Sequence, residues 1–137
     1  MLMRPADDSD RELIKAAQEV IRERFDATRE RHTVAASFLT RSGQVISAVN
    51  VFAYCGYGPC AEAVGIGVAA TQGLKDLVKV VAIGGPDQNF PILSPCGNCR
   101  QLLFEYAPGI EVIVEGDGKP MVTNIESLLP FSYKMES

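Results

Sequence analysis

The chain has 137 residues, of which 47% are hydrophobic and 22% charged, enough for one globular domain over 1–137 and too few for a second. Lys plus Arg number 13 against 17 Asp plus Glu, so the net charge is −4 with a pI near 5.0, a field that repels phosphate backbones and argues against a polynucleotide partner. The N-terminus turns acidic at Asp7-Asp8 before any apolar signal core, and no stretch reaches the roughly 20 apolar residues of a membrane span; a cytoplasmic protein with no membrane partner is expected.

Residues 9–25 set Leu13, Ile14, Ala17, Val20, Ile21 and Phe25 at three- and four-residue intervals among charged ones, the pattern of an amphipathic helix. Ser9-Asp10-Arg11-Glu12 fits a capping box at its start, with Asp7 and Asp8 as competing caps. Residues 33–39 and 44–49 are rich in β-branched and small apolar residues and are parted by Arg41-Ser42-Gly43, which predicts a hairpin. An irregular stretch over 50–59 follows. It leads into an Ala-, Val- and Gly-rich helix over 60–73, opened near Pro59 and closed by Gly73. Gly65 and Gly67 lower its propensity, and close packing on a sheet is the reason to keep them.

Residues 77–83, apolar except for Lys79 and stopped by Gly84-Gly85-Pro86, read as a central strand covered on both faces. The glycines there lack the spacing and Lys of a phosphate-binding loop. Pro95 introduces a helix over 96–106, Pro108-Gly109 ends it, 111–114 forms a strand, and a last short helix over 124–129 leads to Pro130 and an aromatic tail. Helices alternating with strands after a hairpin predict an α/β fold: a three-layer α/β/α sandwich around a mixed sheet of about five strands.

Cys55, Cys60, Cys96 and Cys99 do not form a disulfide scaffold, because a core of this size folds without staples and cytosolic thiols stay reduced. Their spacing therefore reads as chemistry. Cys96 and Cys99, three apart on a first helical turn, put both sulfurs on one side, where the positive end of the helix dipole favours thiolates. Two thiolates so placed make half of a zinc site, and Cys60, at another helix N-terminus, supplies a third if the helices lie side by side. The fourth position then stays open for water. Glu62, two residues beyond Cys60, reaches that water without binding the metal and is the candidate proton shuttle. Two other readings stand beside this one: a closed four-sulfur structural site completed by Cys55, which makes the chain a zinc-stabilised interaction module, and a thioredoxin-like redox pair at Cys96 and Cys99.

The combination Cys60-Ala61-Glu62 with Pro95-Cys96-Gly97-Asn98-Cys99 resembles the zinc signature of the cytidine deaminase superfamily. His32-Thr33-Val34, Val49-Asn50-Val51, Leu93-Ser94-Pro95, Cys99-Arg100-Gln101 and Leu128-Leu129-Pro130 extend the likeness to its small cytidine deaminase and blasticidin S deaminase branches, from about residue 9 to the end. The resemblance implies a Zn²⁺ enzyme acting on C4 of a free cytosine nucleoside, in pyrimidine salvage or antibiotic inactivation, with Glu62 passing protons to N3 and then to the departing amine. It also implies a homotetramer whose C-terminal tail approaches an active site, which makes Phe131 and Tyr133 candidates for a lid.

This chain departs from the small deaminases in two places. An Arg usually follows the catalytic Glu where Ala63 stands here, so Arg100 becomes the candidate to offset the charge of three thiolates through a hydrogen bond to sulfur. The sugar-gripping Asn-x-Glu pair keeps only Asn50, because Phe52 occupies the second place, and half a clamp shifts weight toward a modified nucleoside such as blasticidin S. By the same resemblance Ala61 and Ser94 offer backbone groups to the cytosine edge. His32, the only histidine, is assigned a structural hydrogen bond, and the aromatics of the 50–59 stretch either pack the loop or line the sugar pocket.

Overall fold

The structure, a computed structural model, describes residues 3–84 and 89–134. In chain order it places β1 (Arg4–Pro5), α1 (Asp8–Arg24), β2 (Val34–Thr40), β3 (Val45–Val49), α2 (Ala61–Thr71), β4 (Leu77–Gly84), β5 (Ile92–Leu93), α3 (Gly97–Tyr106), β6 (Glu111–Gly116), β7 (Lys119–Asn124) and a 3₁₀ turn over Ile125–Leu128. The strands form one sheet in the order β1-β7-β6-β4-β2-β3, with β5 added beside β4; β4 and β6 run parallel and the other neighbours antiparallel.

Side-chain alternation explains the layering. Ala35, Val81, Ile83, Ile113 and Val122 point to one face, where Leu13, Ile14, Ala17 and Ile21 of α1 cover them. Phe38, Val80, Ala82, Val112 and Val114 point to the other, beneath Ile66 and Ala69 of α2 and Leu103 of α3. The three-layer α/β/α sandwich holds, and β4 is buried on both sides as its continuous apolar run predicts. The sheet has seven strands, not about five. Strands β1 and β5 are two residues each, too short to show a period, and β7 contains Pro120 at an edge that β1 then caps.

Several boundaries move for local reasons. The box at the start of α1 is closed by Asp7 and Asp10, not from Ser9: the Asp7 carboxylate accepts from the Asp10 amide at 3.0 Å, and the Asp10 carboxylate accepts from the Asp7 amide at 2.9 Å. The expected helix over 124–129 is a 3₁₀ turn capped by Asn124, whose side chain accepts from the Ser127 amide at 2.9 Å. Strand β4 ends at Gly84, while Gly85 and Pro86 of the expected stop lie outside the described residues. Among the described residues no helix is long and apolar enough to cross a membrane.

Close packing is the reason for Gly65. A Cβ there would stand 2.4 Å from Phe38 Cε1, whereas one at Gly67 meets nothing within 4 Å. Crowding of this kind costs about 1–3 kcal/mol, more than the roughly 1 kcal/mol that alanine gains in a helix. Gly65→Ala is therefore expected to lower the urea midpoint, and an unchanged or higher midpoint would show that Phe38 yields without cost.

Candidate active site

Helices α2 and α3 start one residue later than the cysteines that introduce them, so Cys60 and Cys96 are N-caps. Neither side chain makes a capping hydrogen bond, and both sulfurs stand at the positive ends of their helices. They lie 3.7 Å apart. Cys99, one turn into α3, completes a group whose sulfurs all lie within 4.8 Å of one another. A tetrahedral ion with Zn–S near 2.3 Å requires sulfur–sulfur edges of about 3.8 Å, so the spacing suits zinc.

The electrostatics agree with the spacing. Burial works against ionisation of Cys96, but the amides of Cys99 and Asn98 and the neighbouring thiols outweigh it and draw that thiol below its ordinary value. At Cys60 burial dominates and raises the value; at Cys99 burial and the charge of Glu62 raise it strongly. Three thiolates cannot coexist here without a cation to compensate them. A divalent ion supplies that compensation, and the donor set fits it. Burial deepens from exposed Cys96 through half-buried Cys60 to buried Cys99, so the group opens outward on the Cys96 side.

Glu62 lies in the first turn of α2 and is only 5% exposed. Burial raises its proton affinity above that of a free glutamate, against the smaller opposing effects of its own backbone amide and Cys99. Cys55 is exposed in the 50–59 loop and does not join the sulfur group, so the four-sulfur alternative has no fourth ligand.

Around this centre the remaining residues are arranged as follows. The Val51 amide donates to the Pro59 carbonyl at 3.2 Å, closing the loop so that Asn50 and Cys60 stand at its two feet. The Asn50 side chain is fixed at both ends, accepting from the Val34 amide at 3.1 Å and donating to Thr33 Oγ1 at 3.1 Å. His32 Nδ1 bonds the Asn50 carbonyl at 3.0 Å, the structural role expected of it. Phe52 is half-exposed and meets Tyr54 edge-on, ring centroids 6.2 Å apart. Ala61 is fully buried in the core at the start of α2, and Ser94 is exposed in the approach to α3.

Arg100 reaches the cluster by another route than a bond to sulfur. Its Nε donates to the Pro95 carbonyl at 2.8 Å and its Nη1 to the Leu128 carbonyl at 3.1 Å, so it braces the turn that carries Cys96. The Phe131 and Tyr133 rings of the tail are solvent-exposed in the single chain. Two supporting residues were not legible as such in the sequence: Thr33, which orients Asn50, and Gln101, whose amide donates to the Tyr133 carbonyl at 3.0 Å. Both stand beside residues that the sequence does mark, His32 and Arg100, but their partners lie 17 and 32 positions away.

Comparison with known proteins agrees with this geometry. Residues 7–115 match the family described as the cytidine and deoxycytidylate deaminase zinc-binding region. The chain is 40% identical over 130 residues to a blasticidin-S deaminase of Bacillus cereus, covering 90% of this chain and 91% of that one. It is 29% identical over 109 residues to a cytidine deaminase of Halalkalibacterium halodurans, covering 77% and 80%. The crystal structure of cytidine deaminase from Mycobacterium leprae superposes with a TM-score of 0.74 at 28% identity, covering 91% of this chain and 99% of that one. With its sulfur triad, buried glutamate and sandwich fold all accounted for, the chain belongs to the cytidine and deoxycytidylate deaminase family.

Proposed function

We propose that this chain is a zinc-dependent hydrolase that replaces the C4 amino group of a free cytosine nucleoside by oxygen, releasing the uracil nucleoside and ammonia. The observation that carries this reading is a buried carboxylate, Glu62, set against three sulfurs spaced for one ion. Cys60, Cys96 and Cys99 would hold zinc, which would supply the Lewis acidity that makes water a nucleophile near neutral pH. Glu62 takes one proton of the attacking water and gives it to N3, then carries the proton of the new C4 hydroxyl to the amine, so that the C4–N bond breaks, ammonia leaves and C4 keeps a carbonyl oxygen. Its burial keeps competing water away from the proton path. Ala61 and Ser94, flanking the metal-bearing turns, present backbone groups to the cytosine edge, and Asn50 presents its anchored amide to the sugar.

For the substrate we favour a modified cytosine nucleoside of the blasticidin S type over unmodified cytidine. Phe52 offers a ring where a carboxylate would grip a ribose hydroxyl, and the 40% identity to a blasticidin-S deaminase exceeds the 29% to a cytidine deaminase. The test follows ultraviolet absorbance on loss of the amine from cytidine, deoxycytidine and blasticidin S. Blasticidin S is expected to give a kcat/KM about tenfold or more above cytidine, since losing a partner for a buried hydroxyl costs on the order of 1–3 kcal/mol. A preference for cytidine would reverse the substrate assignment, and inactivity on all of them would reverse the enzymatic one.

We also read the working form as a homotetramer in the reducing cytoplasm. Beyond Glu62, helix α2 is almost wholly apolar up to Thr71, and its outer side, with half-buried Ala63 and Val64 and exposed Gly67, lies outside the core cluster formed among the described residues. An apolar face of this kind calls for another subunit. Gly67→Glu, which meets open space in the single chain, is expected to leave folding intact yet dissociate the assembly on light-scattering chromatography. An assembly that persists would remove α2 from the interface. Three thiols kept available for a metal suit a reducing compartment.

A further inference from the structure

Residues 100 and 101 are consecutive, and both reach from the metal-bearing helix to the C-terminal segment. Arg100 joins the Pro95 carbonyl, immediately before Cys96, to the Leu128 carbonyl, where the 3₁₀ turn ends. Gln101 Nε2 donates to the Tyr133 carbonyl at 3.0 Å and to Glu105 Oε2 at 3.0 Å. The base of that segment is held independently, since the Ile125 amide donates to Ile110 and Ile125 is buried in the core. Beyond it the tail gains little from packing: the Phe131 and Tyr133 rings are both solvent-exposed. Its order there therefore depends on the Gln101 tether at Tyr133, while the Arg100 fork holds the end of the 3₁₀ turn at Leu128, and both donors directly follow Cys99 on α3.

We propose that Arg100 and Gln101 are positioning residues that fasten the C-terminal tail to the metal-bearing turn, so that metal occupancy orders the tail and the tail in turn slows loss of metal. This rests on the zinc reading given above. The guanidinium is a planar fork that satisfies two carbonyls only when they keep a fixed separation. An ion on Cys96 and Cys99 fixes the turn that holds the Pro95 carbonyl, and through the fork it fixes Leu128. Linkage makes the effect reciprocal, so weakening the tethers must weaken metal retention by the same factor at equilibrium. Neither tether touches a sulfur.

Hydrogen exchange read by mass spectrometry, on the full chain loaded with zinc and then stripped by a chelator, tests this. In the unaltered protein stripping should speed exchange in residues 128–134 by about fivefold or more, with β4 and β6 unchanged. Gln101→Ala, a surface change that leaves the fold and the ligands in place, should exchange quickly there even when loaded and should release zinc faster to a chromogenic chelator. Arg100→Lys, which keeps the charge but cannot span both carbonyls, should do the same more strongly. A tail indifferent to metal in the unaltered protein overturns the coupling alone, as does Gln101→Ala with normal tail exchange and normal zinc release. Failure to bind zinc at all overturns both the coupling and the deaminase reading.

Discussion

Glu62→Gln is expected to lower turnover by about 10²–10⁴-fold, the usual contribution of a positioned acid–base group, while the protein keeps its full zinc content. Glutamine has the shape of glutamate but cannot take a proton from water or return one to the amine. The side chain is buried, and burial disfavours its charged form, so the neutral amide is no worse a fit and the melting temperature should hold or rise. Metal content by atomic absorption, turnover on the preferred nucleoside and a thermal melt together separate the roles. Lost activity with retained zinc and fold assigns Glu62 to the chemistry. Retained activity would remove it from the mechanism, and lost zinc would make it part of the metal's support instead.

The site was legible in the sequence because its parts are local. Cys96 and Cys99 share one helical turn, Cys60 and Glu62 share another, and each pair needs only a helix start to define its geometry. What joins the two turns is the sheet, and its continuous apolar β4 run announced that layer as well. The rest depended on distant partners or short elements. Strand β7 was missed although Asp117-Gly118, with φ of 53° and 77°, is a two-residue hairpin turn between Gly116 and Lys119. Pro120 masked the strand that this turn implies. Arg100 is expected at a sulfur because Ala63 stands where the resembled deaminases have an Arg; its bond to Leu128 depends on where the 3₁₀ turn lands, 28 residues later. Lys79 looked like an interruption of a buried strand, because its partner Asp10 lies 69 positions upstream.

That pair makes the second large prediction. Asp10 is 0% exposed, and its carboxylate accepts from Arg4 Nη1 at 2.7 Å, from Lys79 Nζ and from the Asp7 amide at 2.9 Å. Lys79 is itself buried, and its other carboxylate neighbour, Glu111, lies 3.8 Å away and partly in solvent. Asp10→Ala thus strands a buried ammonium and removes half of the α1 capping box. Breaking one side of a buried pair costs about 3–5 kcal/mol, a large part of the 5–15 kcal/mol that holds a small domain folded. Asp10→Leu with Lys79→Met removes both charges and should lose much less than the two single changes summed, because no unpaired ion remains. Acid provides an independent check. Burial alone would raise the Asp10 value, but Arg4, Lys79 and the Asp7 amide reverse it and hold the carboxyl well below the usual carboxylate range. A depressed folded value means that the stabilisation is complete above the unfolded value near pH 4 and declines as the pH falls from there through the folded one. Urea unfolding at pH 7, 5 and 3 should therefore show a loss between pH 5 and 3 that is smaller in the double variant. If the two proteins decline in parallel, the stabilisation arises elsewhere and Asp10 serves only as a cap.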